Sequence, residues 1–449
     1  MINTPSDPAG AVRGDIAPTL LGALPALGRE PALADPKAGL ATRPSNGAGV
    51  HAAPLTLTPT APRSRRSSFL LFSPPSIGEE EIREVVDTLR SGWITTGPKT
   101  KLFERAFRER VGAPDALALS SCTAGLHLGL LSQGVGPGDE VITSTMTFCA
   151  CANAIEHLGA VPVLVDVEPD TMNLDPAAVE AAITPRTRAI LAVHDAGHPV
   201  ELDSLRDIAE RHGNGLVEDA AHAVAARYKG RMIGSGENPV AFSFYATKNL
   251  TTGEGGMLTG TPDFIAEARR RSLHGMSRDA WKRYGVGGSW FYDVCEPGFK
   301  YNMTDIQAAL GLVQLRKLER LQRRRREVVA NYNLAFHDID AFELPVQRAT
   351  VDHAWHLYVL RLRLETLRIG RDQFIDELTA RNIATSVHFI PIHLHPFYRD
   401  KYGYTPEQFP VAYQCYQRML SIPLHPGLSD GDVCDVVDAV LDVEKRFAR

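Results

Sequence analysis

From Phe69 onward, short apolar runs alternate with amphipathic stretches. Ala116-Leu117-Ala118-Leu119, Glu140-Val141-Ile142-Thr143, Val161 to Asp166, Ala189 to His194 and Gly215 to Glu218 read as strands. Between them, Ala124 to Ser132, Ala150 to Leu158 and Ser204 to His212 read as helices. Short apolar strands separated by helices predict a mostly parallel sheet buried on both faces, an α/β fold. Ahead of these, Ile77-Gly78 opens a helix with Glu79, Glu80 and Glu81 in its first turn, where acids favour the helix dipole.

A long helix is predicted from Thr304, a plausible N-cap, through Ile306, Leu310, Val313, Leu318 and Leu321. Arg323 to Arg326 lies on it and reads as a solvated face in preference to a phosphate patch. Beyond Phe342 the pattern changes: His356 to Leu362 alternates like a strand, Arg371 to Arg381 reads as a helix, and Asp430 to Phe447 is amphipathic and helical. Residues 1 to 67 are rich in Ala, Pro, Gly and Thr without a sustained period, which predicts a disordered tail. The expected organisation is therefore a tail over 1–67, a large domain over 68–335 and a smaller α+β domain over 336–449.

Composition narrows the class. The 449 residues, 44% hydrophobic and 22% charged, suit a soluble two-domain enzyme. A net charge of -5 carries no basic field for nucleic acid or an anionic membrane. No apolar run approaches the ~20 residues of a membrane span, and the apolar stretch after Arg65-Arg66 ends at Ser73-Pro74. Cys122, Cys149, Cys151, Cys295, Cys415 and Cys434 have no framework spacing, which favours free thiols and a cytoplasmic location. His388, His393 and His395 fall in one segment, but His393 and His395 alternate on a strand-like stretch without a carboxylate at ligand spacing, so no metal is expected.

Three stretches carry chemistry. An apolar strand from Val240 runs through Ser243 to Lys248 and meets a glycine-rich turn, Gly253 to Gly256. A lysine at the end of a buried strand is costly unless paired or neutral, and a Schiff base removes that cost. The strand Gly215 to Glu218 ends at Asp219, where an acid suits a pyridinium nitrogen or, alternatively, a helix N-cap. Ser120-Ser121-Cys122-Thr123-Ala124-Gly125 joins a strand to a helix, a phosphate cradle or a plain cap. Together, in this chain order, they make a site for pyridoxal 5'-phosphate (PLP).

The chain resembles the DegT/StrS family of PLP-dependent sugar-nucleotide aminotransferases from about Phe69 to its C-terminus. The resemblance is carried by Ser91 to Pro98, Ser121 to Gly125, Gly136 to Ile142, Glu218 to His222, Phe242-Ser243-Phe244 with Lys248-Asn249, and Gly298 to Asn302. It implies the type I PLP-transferase fold. It assigns Lys248 to the Schiff base and the proton transfers, Asp219 to the ring nitrogen and His222 to the phenolic oxygen. Phe148 is expected to stack on the ring. Thr123, Ala124 and Ser243 are expected at the phosphate, with Asn302 reaching it from the partner of a homodimer with shared sites. Thr96 and His388 are implied for the sugar.

Gly92 to Pro98 and Lys300-Tyr301-Asn302 are most similar to the subgroup that aminates a UDP-linked 4-keto pentose to 4-amino-4-deoxy-L-arabinose; most relatives carry Asn and Arg where Lys300 and Asn302 stand. The expected donor is L-glutamate. A UDP- or dTDP-linked 4-keto-6-deoxyhexose is the alternative acceptor, ahead of a non-catalytic PLP-binding regulator, since Lys248 and the other carriers are intact. In His194-Asp195-Ala196-Gly197-His198-Pro199 the chain departs from the family, with Asp195 where relatives usually carry an aromatic or aliphatic residue.

Overall fold

In the computed structural model, which describes residues 66–277 and 291–449, the five apolar runs and the strand before Lys248 enter one seven-stranded sheet. Helices α1 (Glu79–Ser91) and α2 (Pro98–Val111) lead into β1 (Asp115–Leu119). Then α3 (Cys122–Ser132), β2 (Glu140–Ser144), α4 (Ala150–His157), β3 (Val161–Val165), α5 (Pro176–Ala182), β4 (Thr187–Val193), α6 (Leu202–His212) and β5 (Gly215–Asp219) alternate. A short ribbon, β6 (Arg227–Tyr228) and β7 (Arg231–Met232), precedes β8 (Val240–Ser243), β9 (Gly256–Gly260) and α7 (Pro262–Arg271). The sheet order is β1-β9-β8-β5-β4-β2-β3, and β9 alone runs antiparallel to the rest. The C-terminal ends of the parallel strands therefore share one edge, the place where open α/β sheets bind ligands.

Helix α8 (Asp305–Phe336) starts as its sequence predicts: Thr304 Oγ1 accepts from Gln307 N, and Gln307 Oε1 accepts in return from Thr304 N at 2.9 Å. The remaining elements are β10 (Phe342–Glu343), β11 (Val351–Asp352), β12 (Tyr358–Leu362), α9 (Arg371–Thr379), α10 (Pro396–Tyr402), α11 (Pro410–Arg418), β13 (Met419–Ile422) and α12 (Asp430–Phe447). Strands β10, β12 and β13 form a three-stranded antiparallel sheet. Its core takes Val433, Val436, Val440 and Val443 from one face of α12, together with Tyr332 and Phe336 of α8. The earlier part of α8 buries Ala308 and Leu318 against the large sheet, so this one helix serves both cores.

Three expectations need correction. Arg325 is buried, not solvated: its Nη1 donates to the carbonyls of Trp355, His356 and Leu424, while Arg324 bonds Leu428 O and Arg326 pairs with Glu319. His393 lies in a 3-10 turn, Ile392–Leu394, with Nδ1 2.7 Å from Thr145 Oγ1 and its ring on Phe409, so the segment is no strand. The tail expected over 1–67 lies outside the described residues up to residue 65, but Arg66 pairs with Asp432 and Asp435 of α12 and belongs to the body. Among the described residues no helix is long and apolar enough to cross a membrane.

Candidate active site

At the C-terminal edge of the sheet lies a cavity of about 490 Å³, lined among others by Thr123, Phe148, Asp219, His222, Ser243, Lys248 and His388. All but His388 arrive from the ends of four parallel strands, so a site scattered over the sequence is assembled by the parallel topology. Thr123 follows β1, Phe148 follows β2, Asp219 ends β5, and Ser243 ends β8 with Lys248 just beyond it.

Lys248 is withdrawn from solvent within the cavity wall, and burial lowers its pKa to about 8, against the opposing pull of Asp219, Cys122 and Asp195. A half-buried amine whose pKa is lowered toward neutrality is a nucleophile and a proton carrier. The Asp219 carboxylate is held from several sides: Oδ1 accepts from Ala221 N at 2.9 Å and Oδ2 from Cys151 Sγ at 3.0 Å. Cys122 Sγ lies 3.7 Å from Oδ1 and donates more weakly. Asp219 therefore serves the turn after β5 and faces the cavity at once. Burial and the neighbouring acid keep both thiols protonated, with pKa values well above the usual thiol range.

The cradle forms where β1 passes into α3. Ser121 caps α3, its Oγ accepting from Ala124 N at 3.1 Å, which leaves the hydroxyl proton free to face a ligand. The Ala124 N–H is used by that cap, and Ala124 is not among the cavity lining; Thr123 and Ser121 are. Gly256 at the start of β9 is what lets β9 run beside this turn, since a Cβ there would stand 2.5 Å from Ser121 C and 2.7 Å from Cys122 N.

On the opposite wall, His222 stacks on Phe389 at 5.6 Å and meets His356 at a tilt, 4.4 Å between ring centroids. Burial, then Lys248 and His388, hold its pKa well below the usual imidazole range. His388 is fixed by a 2.9 Å contact of Nδ1 with Ser421 Oγ and stacks on Phe72; burial lowers its pKa to about 4, so it stays neutral. Phe148 is 57% exposed, an open aromatic face beside Phe389. Two expected site residues lie elsewhere: Asn302 Nδ2 donates to Thr96 Oγ1 at 2.7 Å, Thr96 Oγ1 donates to Met303 O, and neither lines the cavity within one chain.

The sequence reasoning missed Cys151, His356 and Phe389. Cys151 sits on α4 with no local signal, because its partner Asp219 is 68 residues away. His356 was visible only as the start of a strand pattern; it bonds Asn249 Oδ1 at 3.0 Å and carries His222. The donor set fits PLP: a carboxylate for the ring nitrogen, an amine of lowered pKa for the aldehyde, and hydroxyls at a helix N-terminus for the phosphate.

Comparison with known proteins agrees with this site. The profile of the DegT/DnrJ/EryC1/StrS aminotransferase family matches residues 75–441. The spore coat polysaccharide biosynthesis protein SpsC of Bacillus subtilis (strain 168) is 51% identical over 383 residues, covering 85% of this chain and 98% of that protein. Among solved structures, the putative sugar aminotransferase Spr1654 of Streptococcus pneumoniae in its PMP form superposes with a TM-score of 0.79 at 38% identity, over 84% of this chain and 99% of that one. Helicobacter pylori PseC, an aminotransferase involved in the biosynthesis of pseudoaminic acid, gives a TM-score of 0.78 at 28% identity, over 85% of this chain and 100% of that one.

Proposed function

Because the chain belongs to the DegT/DnrJ/EryC1/StrS aminotransferase family, whose members are PLP-dependent enzymes of sugar metabolism, we propose that it moves the amino group of L-glutamate to the 4-keto carbon of a nucleotide-linked sugar, a UDP-linked 4-keto pentose. The observation that carries this reading is Lys248: a half-buried amine with its pKa lowered to about 8, in one cavity with the Asp219 carboxylate and the Ser121–Thr123 turn. PLP, when bound, supplies the electron sink that makes the amine-bearing carbon acidic.

The side chains divide the remaining work. Lys248 Nζ takes the proton from the donor carbon and returns it to the sugar carbon, a transfer suited to an amine that titrates near neutrality. Asp219, anchored by Ala221 N and Cys151, keeps a proton on the ring nitrogen. Ser121, Thr123 and Ser243 donate hydroxyls to the phosphate at the start of α3. Phe148 covers the ring, and His222 meets its phenolic oxygen. His388, neutral and fixed by Ser421, offers one ring nitrogen to the sugar. Thr96 and Asn302, joined to each other but outside this cavity, serve the site of a second copy in a homodimer. The pentose reading rests on Gly92 to Pro98 and on Lys300-Tyr301-Asn302.

A panel of UDP- and dTDP-linked 4-keto sugars with L-glutamate, read by the mass of the amino product, tests the substrate. The UDP-linked pentose is expected to give the highest kcat/KM. A 6-methyl group alters discrimination by only ~1–3 kcal/mol, so weaker turnover of 6-deoxyhexoses is expected alongside it. A clearly higher kcat/KM for a 4-keto-6-deoxyhexose overturns the pentose assignment and leaves the aminotransferase standing.

A further inference from the structure

One buried carboxyl has no hydrogen-bonded partner. Asp195 begins the 3-10 turn Asp195–Gly197 after β4; it is 1% exposed, and neither Oδ1 nor Oδ2 has a hydrogen-bond partner. Facing it, with Nδ1 3.9 Å from Oδ1, is His222, whose Nδ1 is likewise buried and unpartnered. The two are pressed together by the backbone. Gly197 (φ 98°) comes so close that a Cβ there would lie 2.8 Å from His222 O. The adjacent Ala196 N–H and then Lys248 favour the ionised form of Asp195, and Asp219 opposes it. From its other side Asp170, His198, His353 and Arg361 line a small recess, yet none of their side chains bonds its carboxyl: Asp170 pairs with Arg348, Arg361 with Glu343, His198 Nδ1 with Pro199 O, and His353 Nδ1 accepts from Trp355 N.

We propose that Asp195 is a positioning residue for His222: its carboxyl O–H donates to Nδ1, so that His222 keeps its own proton on Nε2 and presents a donor to the cavity it lines. The inference rests on the reading of His222 as a cofactor contact. As it stands the pair is longer than a hydrogen bond by about 1 Å, a separation that the O–H of a protonated Asp195 would close by side-chain rotation, with or without a ligand. The protonation states suit the arrangement. Burial raises Asp195 to about 7, while burial holds His222 well below the usual range, so below about pH 7 the proton stays on the acid and the imidazole is uncharged. Once Asp195 ionises it needs a donor, and the histidine must move its proton to Nδ1. Nε2 then becomes an acceptor, the wrong partner for a phenolic oxygen that carries charge.

Histidine-selective nitrogen NMR of the full chain without cofactor, with His222 assigned through His222→Gln, reads the tautomer directly. The wild type is expected to hold the Nε2–H form at about pH 6 and pass to Nδ1–H with a midpoint near 7. In Asp195→Asn the amide N–H replaces the carboxyl donor, and the Nε2–H form should persist to about pH 9. A wild-type tautomer that does not change over this range, or an Asp195→Asn protein that titrates like the wild type, overturns the proposal.

Thermal midpoints give a second reading. The folded pKa of Asp195 lies above its unfolded value, so folding binds a proton and the wild type loses stability as pH rises from about 4 to about 7. Asp195→Asn should therefore melt higher than the wild type above pH 7 and match it below about pH 4. Parallel curves at all pH values contradict it. Neither readout involves the cofactor, so transamination itself is tested separately by Lys248→Ala.

Discussion

At the scale of residues, the site is a set of buried polar groups whose protonation is tuned by burial first and by neighbours second. Asp219 meets the cavity as a carboxylate held by Ala221 N and Cys151. Replacing it with Asn keeps an acceptor for Ala221 N but removes the charge that holds a proton on the ring nitrogen. Asp219→Asn is expected to bind PLP, because the cradle at Ser121 and Thr123 is untouched, and to lose at least about 100-fold in kcat. Steady-state kinetics beside a PLP-binding titration check this, and turnover within a few-fold of wild type reduces Asp219 to a turn cap. Lys248, Asp219 and the Ser121–Thr123 turn were legible in the sequence because each ends a recognisable strand. The thiol of Cys151 and the ring of Phe389 were not, since their meaning depends on partners far away in the chain.

At the scale of elements, strand periodicity located the sheet well: the observed β1, β2, β3, β4 and β5 each fall within two residues of the apolar runs. What periodicity does not carry is burial of a polar stretch. Arg323 to Arg326 looks like a solvated face, yet the helix that bears it is wedged between two cores, and Arg325 donates to three carbonyls instead of water. The glycine-rich turn after Lys248 read as loop chemistry, and the structure gives Gly256 a sharper reason, the contact of β9 with the cradle. Gly256→Ala should push the Ser121–Cys122 turn aside, cost about 1–3 kcal/mol of stability and raise the Kd for PLP. Denaturant melts with and without PLP measure both effects. An unchanged melt together with an unchanged Kd shows that the contact does not constrain the cradle.

At the scale of the whole molecule, Thr96 and Asn302 bond to each other but do not line the cavity of their own chain, which the resemblance explains by a shared site. Asn302→Asp would set a carboxylate against the phosphate of the partner's site and silence it; Lys248→Ala silences its own. Mixed subunits should then regain up to about a quarter of wild-type turnover, because each hybrid dimer pools both lesions in one site and leaves the other intact. Hybrids without activity show that Asn302 serves its own chain. The tail's reading stays with the sequence, except that Arg66 belongs to the body. The central claim, that Lys248 makes this chain an aminotransferase, meets its most direct test in the visible absorbance of the PLP-loaded protein. L-glutamate is predicted to bleach the band of the lysine-bound cofactor, and a UDP-linked 4-keto pentose to restore it, with neither change in Lys248→Ala. A wild-type spectrum that glutamate leaves unmoved, or the same cycle in Lys248→Ala, contradicts it.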